Sequence, residues 1–409
     1  MHHKSSSWII CQLGAREHYV IPRTLHQVGK LSCLITDAWI LPQSIFNQLP
    51  QPILTNLRER YHPDLCQASI HEFTGSLIGF ELAQRIQKIT GWKRIIARNY
   101  WFQQQALQVL NDITTRLNCR PIIYSYSYAA LEVLRYAKTR GWRTVLGQID
   151  PGLIEEKLVL EEHNRHRNHQ FTWQPAPPCY WDNWLQECSL ADRIVVNSRW
   201  SSQALQQAGI PGNKIDIIPL AYQPPEQAND FVRTYSSAFS PEHPLRVLFL
   251  GQVILRKGVA ALLEAAELLR GEPIEFWLVG SRGIIIPQGL QKKVKWIGAV
   301  PRSATPKYYQ QADVFLFPTL SDGFGLTQLE AQAWKLPIIA SRFCGEVVQD
   351  QVNGMILPEV TGEAIAQALK FCLNNPQTLE RFSQASTNMS KFNLSQLYHH
   401  FQSLSHALV

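Results

Sequence analysis

Long apolar runs are missing from this chain: no stretch of about eighteen uncharged apolar residues occurs, which excludes a spanning helix. The amino terminus, MHHKSSSWIICQLG, has no extended apolar run leading to a small-residue cleavage site, so it does not read as a signal peptide. Charged residues are few, at 17%, but hydrophobic ones reach 45%, and that balance excludes a disordered chain. Cysteine pairs are also lacking. Cys11, Cys33, Cys66, Cys119, Cys179, Cys188, Cys344 and Cys372 stand singly with no C-x-x-C. That speaks against a disulfide framework or a zinc site and for reduced thiols in a cytoplasmic setting. No D-x-D triplet and no H-E-x-x-H are present, and there is no low-complexity tract. Nor does any basic run stand out, although the net charge of +7 is uneven. Residues 1–220 hold 23 Lys and Arg against 17 Asp and Glu, and the remainder 16 against 15. Such a surplus suits an anionic acceptor or the inner face of an acidic membrane as well as it suits an ordinary solvated surface; nothing points to nucleic acid.

With 409 residues the chain exceeds the size at which one core keeps growing, so two domains are expected. In the C-terminal half, short apolar runs recur with helical segments between them: Arg246–Leu250, Glu275–Val279, Val294–Ile297, Asp313–Phe317, Pro337–Ala340 and Met355–Leu357. Gly251, Gly280, Gly298 and Pro318 close four of these runs, and Val259–Arg270 between the first two has a helix-forming composition. Strand, glycine, helix in repetition predicts a doubly wound parallel sheet, with ligands beyond the carboxyl ends of its strands.

The N-terminal half repeats the theme with candidate strands Trp8–Gln12, Leu31–Thr36, Arg94–Ala97, Pro121–Ser125, Arg143–Leu146, Arg193–Asn197 and Lys214–Ile218. Its candidate helices are Tyr19–Gly29, Leu77–Thr90, Trp101–Leu117, Ala129–Gly141 and Ser201–Ala208. Proline-rich Tyr222–Pro244 reads as the linker, which gives domains at 1–221 and 245–390.

Phe317–Gly354 carries the most chemistry. After a buried strand, a loop bears Asp322, Gly323, Phe324 and Gly325, and a helix follows from Leu326 to about Lys335, with Thr327 in its first turn. Glycines at such a turn let the backbone approach a ligand, and the free N–H groups of the helix start suit a diphosphate. Asp322 on the loop and Glu330 in the helix can each accept paired hydrogen bonds from vicinal hydroxyls. The plain alternative is a turn with solvated carboxylates.

D-G-F-G-L-x-x-L-E-A followed by L-P-I-I-A-S resembles the E-G-F-G-L-P-x-x-E-A hallmark of the retaining family-4 glycosyltransferases of GT-B fold. Asp322 stands where that family usually has Glu, Thr327 where it has Pro, and Glu330 matches. The resemblance implies two Rossmann-like α/β domains facing a cleft, with the last segment, 391–409, a helix that packs back on the first domain. It also implies an enzyme that moves a sugar, with retention, from a nucleoside-diphosphate sugar to a glycan or lipid-linked acceptor. No cofactor is implied, and the absence of D-x-D, the metal motif of the other major glycosyltransferase fold, favours a metal-independent reaction. Lys257 matches the family's Lys-Gly after the first strand, and Arg256 takes the part of the second cation because Gln252 occupies the usual arginine position after Gly251. Two cations are what a metal-free site needs at a departing diphosphate; the alternative is an ordinary basic loop. Val294–Val300 resembles the segment near the base pocket, so the backbone of Ile297 or the ring of Trp296 is a candidate base contact, with a packed Trp as the alternative. Gly280 closes the strand before it.

On the N-terminal side the resemblance implies that the loop Gly14, Ala15, Arg16, Glu17, His18 approaches donor phosphate and acceptor; an ordinary helix start is the alternative. Where many relatives end a strand in histidine, this chain has Tyr126 and Tyr128, which do not titrate near neutrality. Asp150 is a candidate acceptor-side carboxylate or N-cap. Glu155, Glu156, Glu161, Glu162, His163, His166 and His169, interspersed with Lys157, Arg165 and Arg167, read as a charged solvated helix and not as a metal cluster. Two other functions stay open: a catalytically silent protein of this fold that binds a sugar nucleotide or glycan, and a nucleotide-sugar epimerase.

Overall fold

Alternating strands and helices build two parallel sheets in the computed structural model, which describes residues 7–44, 57, 59–115, 120–166, 173–386 and 389–408. Cys119, Arg167 and His169 lie outside the described residues. The first sheet contains β1 (Trp8–Gln12), β2 (Leu31–Thr36), β3 (Ile70–Glu72), β4 (Ile122–Tyr126), β5 (Arg143–Gly147), β6 (Arg193–Val196) and β7 (Ile215–Ile217). Its order is β3-β2-β1-β4-β5-β6-β7. The second contains β8 (Leu245–Leu250), β9 (Ile274–Val279), β10 (Val294–Gly298), β11 (Val314–Phe317), β12 (Ile338–Ala340) and β13 (Gly354–Ile356), ordered β10-β9-β8-β11-β12-β13. Every pairing in both sheets is parallel. Helices cover both faces, so central strands such as VFLF of β11 are wholly buried and carry no polar alternation. The strand order reverses between β1 and β4 in one sheet and between β8 and β11 in the other. A crevice opens beyond the carboxyl ends of the strands at each reversal.

Arg94–Ala97 is not a strand. It lies in the helix Gly91–Thr114, where Arg94 and Arg98 are one turn apart and both reach Glu81 on the preceding helix, Thr74–Ile86. A four-residue apolar run has no period of its own, and the flanking charges decide it for helix. In the first domain the short edge strand β3 and the helix Pro178–Leu190 escape the sequence pattern. Glu187 on that helix is buried and accepts hydrogen bonds from the backbone N–H groups of Tyr128, Ala130 and Leu131 at 2.7, 2.8 and 3.1 Å. It thereby caps the helix Leu131–Thr139 from a distance.

The proline-rich segment after residue 221 is strapped to the second domain. Arg233 donates to the carbonyls of Tyr309, Ala312 and Trp334, Tyr235 donates to Asp313 O at 3.0 Å, and Phe231 meets Trp334 edge-on at 5.4 Å. At the other end, the helix Leu394–Leu408 buries Leu397, Phe401, Leu404 and Leu408 against the first domain, with Phe401 5.3 Å from Trp8. These residues recur at helical spacing, which gives one apolar stripe. Among the described residues no helix is long and apolar enough to cross a membrane.

Candidate active site

At the second reversal, β8 ends in Gly251 and β9 in Gly280, and a Cβ on Gly280 would sit 1.8 Å from Gly251 O. Gly258 has φ +71 and its Cβ would strike Pro318 O at 1.8 Å, so the basic loop 255–257 lies directly on the loop that follows β11. That closeness sets the central ion pair: Lys257 Nζ is bonded to Asp322 Oδ2, and the ammonium lies 5.4 Å from the centre of the Phe317 ring. Arg256 Nη1 donates to Ser321 O at 2.9 Å. Burial alone would raise the Asp322 carboxyl, but Lys257 and Arg256 outweigh it and hold Asp322 below its ordinary value. The sequence brings these three residues from loops 65 positions apart into one electrostatic unit.

Gly325 has φ +84 and caps the helix Leu326–Ala333, with Leu326 and Thr327 partly exposed at its start and no side chain on its first N–H groups. Phe324 departs from its expected part in ligand contact. Its ring is buried against Gly345 and Phe392, so only its backbone stays at the loop, where its N–H donates to Asp322 Oδ1 at 3.2 Å. Glu330 is 9% exposed, accepts from Tyr309 OH at 2.8 Å and lies 4.0 Å from Arg302. Burial raises its carboxyl, against the pull of Tyr309 and Arg302. Gln252, Trp296 and Ile297 are exposed; Trp296 is no core residue, because its Nε1 donates to Gly280 O at 3.0 Å and the Arg282 guanidinium lies 4.5 Å over its ring.

Across the cleft, Glu17, His18 and Tyr19 have φ of 51, 55 and 59, three consecutive residues in a region that costs each of them of order 1 kcal/mol or more. Tertiary contacts hold them there. Tyr126 OH donates to Glu17 at 3.1 Å, His18 Nδ1 meets Arg302 of the other domain, and Tyr19 is buried edge-on to Trp39. Burial pushes the Glu17 carboxyl up to about 7. The N–H of Gly14 is bonded to Asp37, and a Cβ there would crowd Arg60 at 2.8 Å. Arg16 lies 5.6 Å over the Tyr126 ring, and among the described residues its buried Nε has no hydrogen-bond partner. Of the two tyrosines offered in place of histidine, Tyr126 turns back to Glu17. Tyr128 donates to Asp150, which also accepts from Gly152 N–H at 2.9 Å at the start of the helix Leu153–Arg165.

That helix is not simply solvated. Glu162 is buried beside His166, Glu156 accepts from Trp181 Nε1 at 2.7 Å, and Glu155 crosses the cleft. Glu155 accepts from Ser321 Oγ at 2.8 Å and pairs with Arg256 at 3.4 Å. Nothing local marks Glu155, Ser321, Arg302 or Tyr309 as site residues, because their meaning lies in contacts between distant loops. Trp200 adds a further bridge by donating to Ser321 Oγ at 3.0 Å.

At Gly323 the backbones of the two domains lie close together: a Cβ there would sit 2.4 Å from Ile149 O. Gly323→Ala must therefore open the cleft, since a carbonyl cannot swing away. The transfer that the sequence resemblance implies is expected to fall about tenfold in this variant while nucleotide affinity holds, as for a misplacement distant from the ligand; equal rates would show that the cleft closes independently of this contact.

Glu155 also makes the fold pH-dependent. Burial first, then Asp150 and Asp322, push its carboxyl up to about 7 against the pull of Arg256 and Ser321. A raised folded value favours folding below the unfolded value, and that contribution is lost as pH rises through about 7. From about pH 5 to 7.5, wild type should lose of order 1 kcal/mol more stability than Glu155→Gln, measured by denaturant unfolding at both ends. Parallel profiles would mean that Glu155 titrates normally.

Residues 235–389 match the family model of glycosyl transferases group 1. The chain is 28% identical over 233 residues to the amylovoran biosynthesis glycosyltransferase AmsK of Erwinia amylovora, covering 53% of this chain and 52% of that protein. It is 28% identical over 217 residues to the D-inositol 3-phosphate glycosyltransferase of Segniliparus rotundus, covering 48% and 47%. The match thus spans about half the length of these curated relatives. Among solved structures, Anabaena HepE in complex with UDP-glucose superposes with a TM-score of 0.62 at 16% identity, covering 98% of this chain and 99% of that one. Sucrose-phosphate synthase from Thermosynechococcus elongatus gives 0.63 at 16%, covering 99% of each. Two Rossmann-like domains meeting at their strand ends, with the group 1 pattern over residues 235–389, make this a chain of GT-B fold.

Proposed function

We propose that the protein transfers a sugar from a nucleoside-diphosphate sugar, with UDP-glucose as the first donor to test, to a glycan or lipid-linked acceptor with retention of configuration. The observation that carries this reading is the Lys257–Asp322–Arg256 unit beneath the glycine turn at the β8/β11 reversal. Lys257, Arg256 and the uncapped start of the helix Leu326–Ala333 offer positive charge and donors to a diphosphate. Arg16, whose buried Nε has no hydrogen-bond partner among the described residues, could add a donor from the other domain. Glu330 can accept the ribose hydroxyls and Asp322 those of the sugar, while the departing phosphate draws the proton from the attacking hydroxyl. Most of the rate then comes from positioning and from charge stabilisation of the leaving group. HepE, solved with UDP-glucose, supplies the choice of nucleotide.

Calorimetry with UDP and GDP, followed by incubation with UDP-glucose and product analysis, tests the reading. We expect UDP to bind and to be released from UDP-glucose at a rate that survives EDTA, because two cations stand at the diphosphate loop. Loss in EDTA with rescue by magnesium or manganese would assign that neutralisation to a metal. Formation of an epimer would replace transfer by epimerisation, for which the partly buried Glu155 and Asp150 offer carboxyl groups. UDP binding without turnover would favour the silent protein, in line with Gln252 and Asp322.

A further inference from the structure

Beside the donor loops lies a second space of about 450 Å³, closed on one side by the helix Leu153–Arg165 and on the other by residues 254–256 of the second domain. Its size suits one or two sugar units. Glu155 and Arg256 belong to its lining, and Arg256 is bonded to the carbonyl of Ser321, next to Asp322. A ligand there would lie beside the loops that carry the Lys257–Asp322 pair.

The lining is aromatic to an unusual degree. Trp92 comes from the start of the helix Gly91–Thr114, Tyr128 follows β4, and Trp173, Tyr180 and Trp181 lie in or just before the helix Pro178–Leu190. Trp92, Trp173, Tyr180 and Trp181 are half-buried, and of these four Trp181 also packs on the core of the first domain. They are also held in place. Trp181 donates to Glu156, Trp92 Nε1 donates to Gln174 O at 2.9 Å, Tyr128 stacks on Tyr180 at 4.8 Å, and Trp173 stacks on His163 at 5.0 Å. Rings fixed before a ligand arrives cost it little ordering entropy.

The carboxylates of Asp150, Glu155 and Glu156 share this lining. Three carboxylates disfavour an anionic ligand, and the Arg256 guanidinium beside them disfavours a cation that would otherwise suit an aromatic cage. Asp150 and Glu155 already accept from Tyr128 and Gly152 and from Ser321, but an alkyl chain would desolvate them without serving their remaining lone pairs. A neutral ring with apolar C–H faces and hydroxyl edges meets every condition: its faces lie on Trp and Tyr, and its hydroxyls donate to Asp150 and Glu155. We infer that this cavity is the acceptor site and that it takes a neutral saccharide unit, stacked on Trp92 and Trp173 with hydroxyls toward Glu155. The inference rests on the transferase reading above, which names the reaction but not the acceptor's chemistry.

The test is saturation-transfer NMR with maltose, cellobiose and lactose as probes and glycerol as a ring-free control, with UDP present, on wild type, Trp92→Ala, Trp173→Ala and Trp92→Phe. At least one disaccharide should receive saturation on its ring protons in wild type and bind better than glycerol. Each alanine variant should weaken it about three- to tenfold, and Trp92→Phe should retain most of it. UDP affinity should stay the same in all four proteins, which also reports that the variants fold. Absence of disaccharide binding in a wild type that binds UDP overturns the inference and leaves the donor reading intact. Disaccharide binding that is indifferent to Trp92→Ala and Trp173→Ala overturns it as well. Sugar binding that depends on the rings, in a protein that does not bind UDP, supports the cavity and sinks the donor reading.

Discussion

Lys257→Ala is expected to lower UDP affinity about 10- to 100-fold, the cost of one charge-assisted contact to a phosphate. The side chain is fixed by Asp322 and the Phe317 ring before any ligand arrives, so little entropy is lost when it meets one. The substitution has a second consequence, for stability. Asp322 is kept ionised against burial chiefly by Lys257, with help from Arg256, and removing the ammonium leaves a buried carboxylate short of its partner. Breaking a buried pair from one side costs about 3–5 kcal/mol, whereas replacing both charges by neutral groups is often close to neutral. Lys257→Met combined with Asp322→Asn should therefore recover most of the thermal stability lost in Lys257→Ala and none of the UDP affinity. Calorimetry and melting curves on wild type and the two variants separate the two effects. Unchanged UDP affinity in Lys257→Ala would remove the lysine from the donor site.

The same pair marks how far the sequence can be read. Gly251, Gly258, Gly323 and Gly325 are legible because each answers a local demand: a strand end, a left-handed turn, a close backbone approach. The strands of the second domain are legible because buried parallel strands are short, apolar and closed by glycine or proline. What stays hidden is long-range. Glu155 sits among glutamates, histidines and arginines that look like any solvated helix face, and only the fold turns it toward Ser321 and Arg256. Trp92 and Trp173 are 81 positions apart, and nothing in either neighbourhood announces a shared cavity. Phe324 errs in the other direction. It lies within the most informative motif, yet its ring serves packing against Gly345. A motif fixes which loop meets the ligand, but not which of its side chains turn inward.

Glu330→Gln and Asp322→Asn should separate nucleotide binding from transfer. Glu330 has one oxygen on the Tyr309 hydroxyl, with Arg302 4.0 Å away, at a helix position behind the glycine turn. An amide there can still accept from Tyr309 but offers a donor where the ribose hydroxyls need an acceptor. UDP and UDP-glucose should therefore weaken alike in Glu330→Gln, by about tenfold. Asp322 lies on the loop before the turn and is engaged by Lys257 and the Phe324 N–H. Asparagine cannot neutralise Lys257, so the ammonium stays fully available to a diphosphate, and UDP affinity should change by less than about threefold. The transferred sugar loses its carboxylate, and the rate of transfer should fall about 100-fold, as expected when a positioning contact at the reacting centre is misplaced. Tyr309→Phe completes the comparison. It leaves the Glu330 carboxylate without its hydroxyl donor, so it should follow Glu330→Gln in direction, with a smaller loss of both affinities. Equal losses of UDP affinity in Glu330→Gln and Asp322→Asn would merge the two carboxylates into one role. Full transfer by Asp322→Asn would show that the sugar is held by other groups, with Glu155 and the other carboxylates of the cleft next in line.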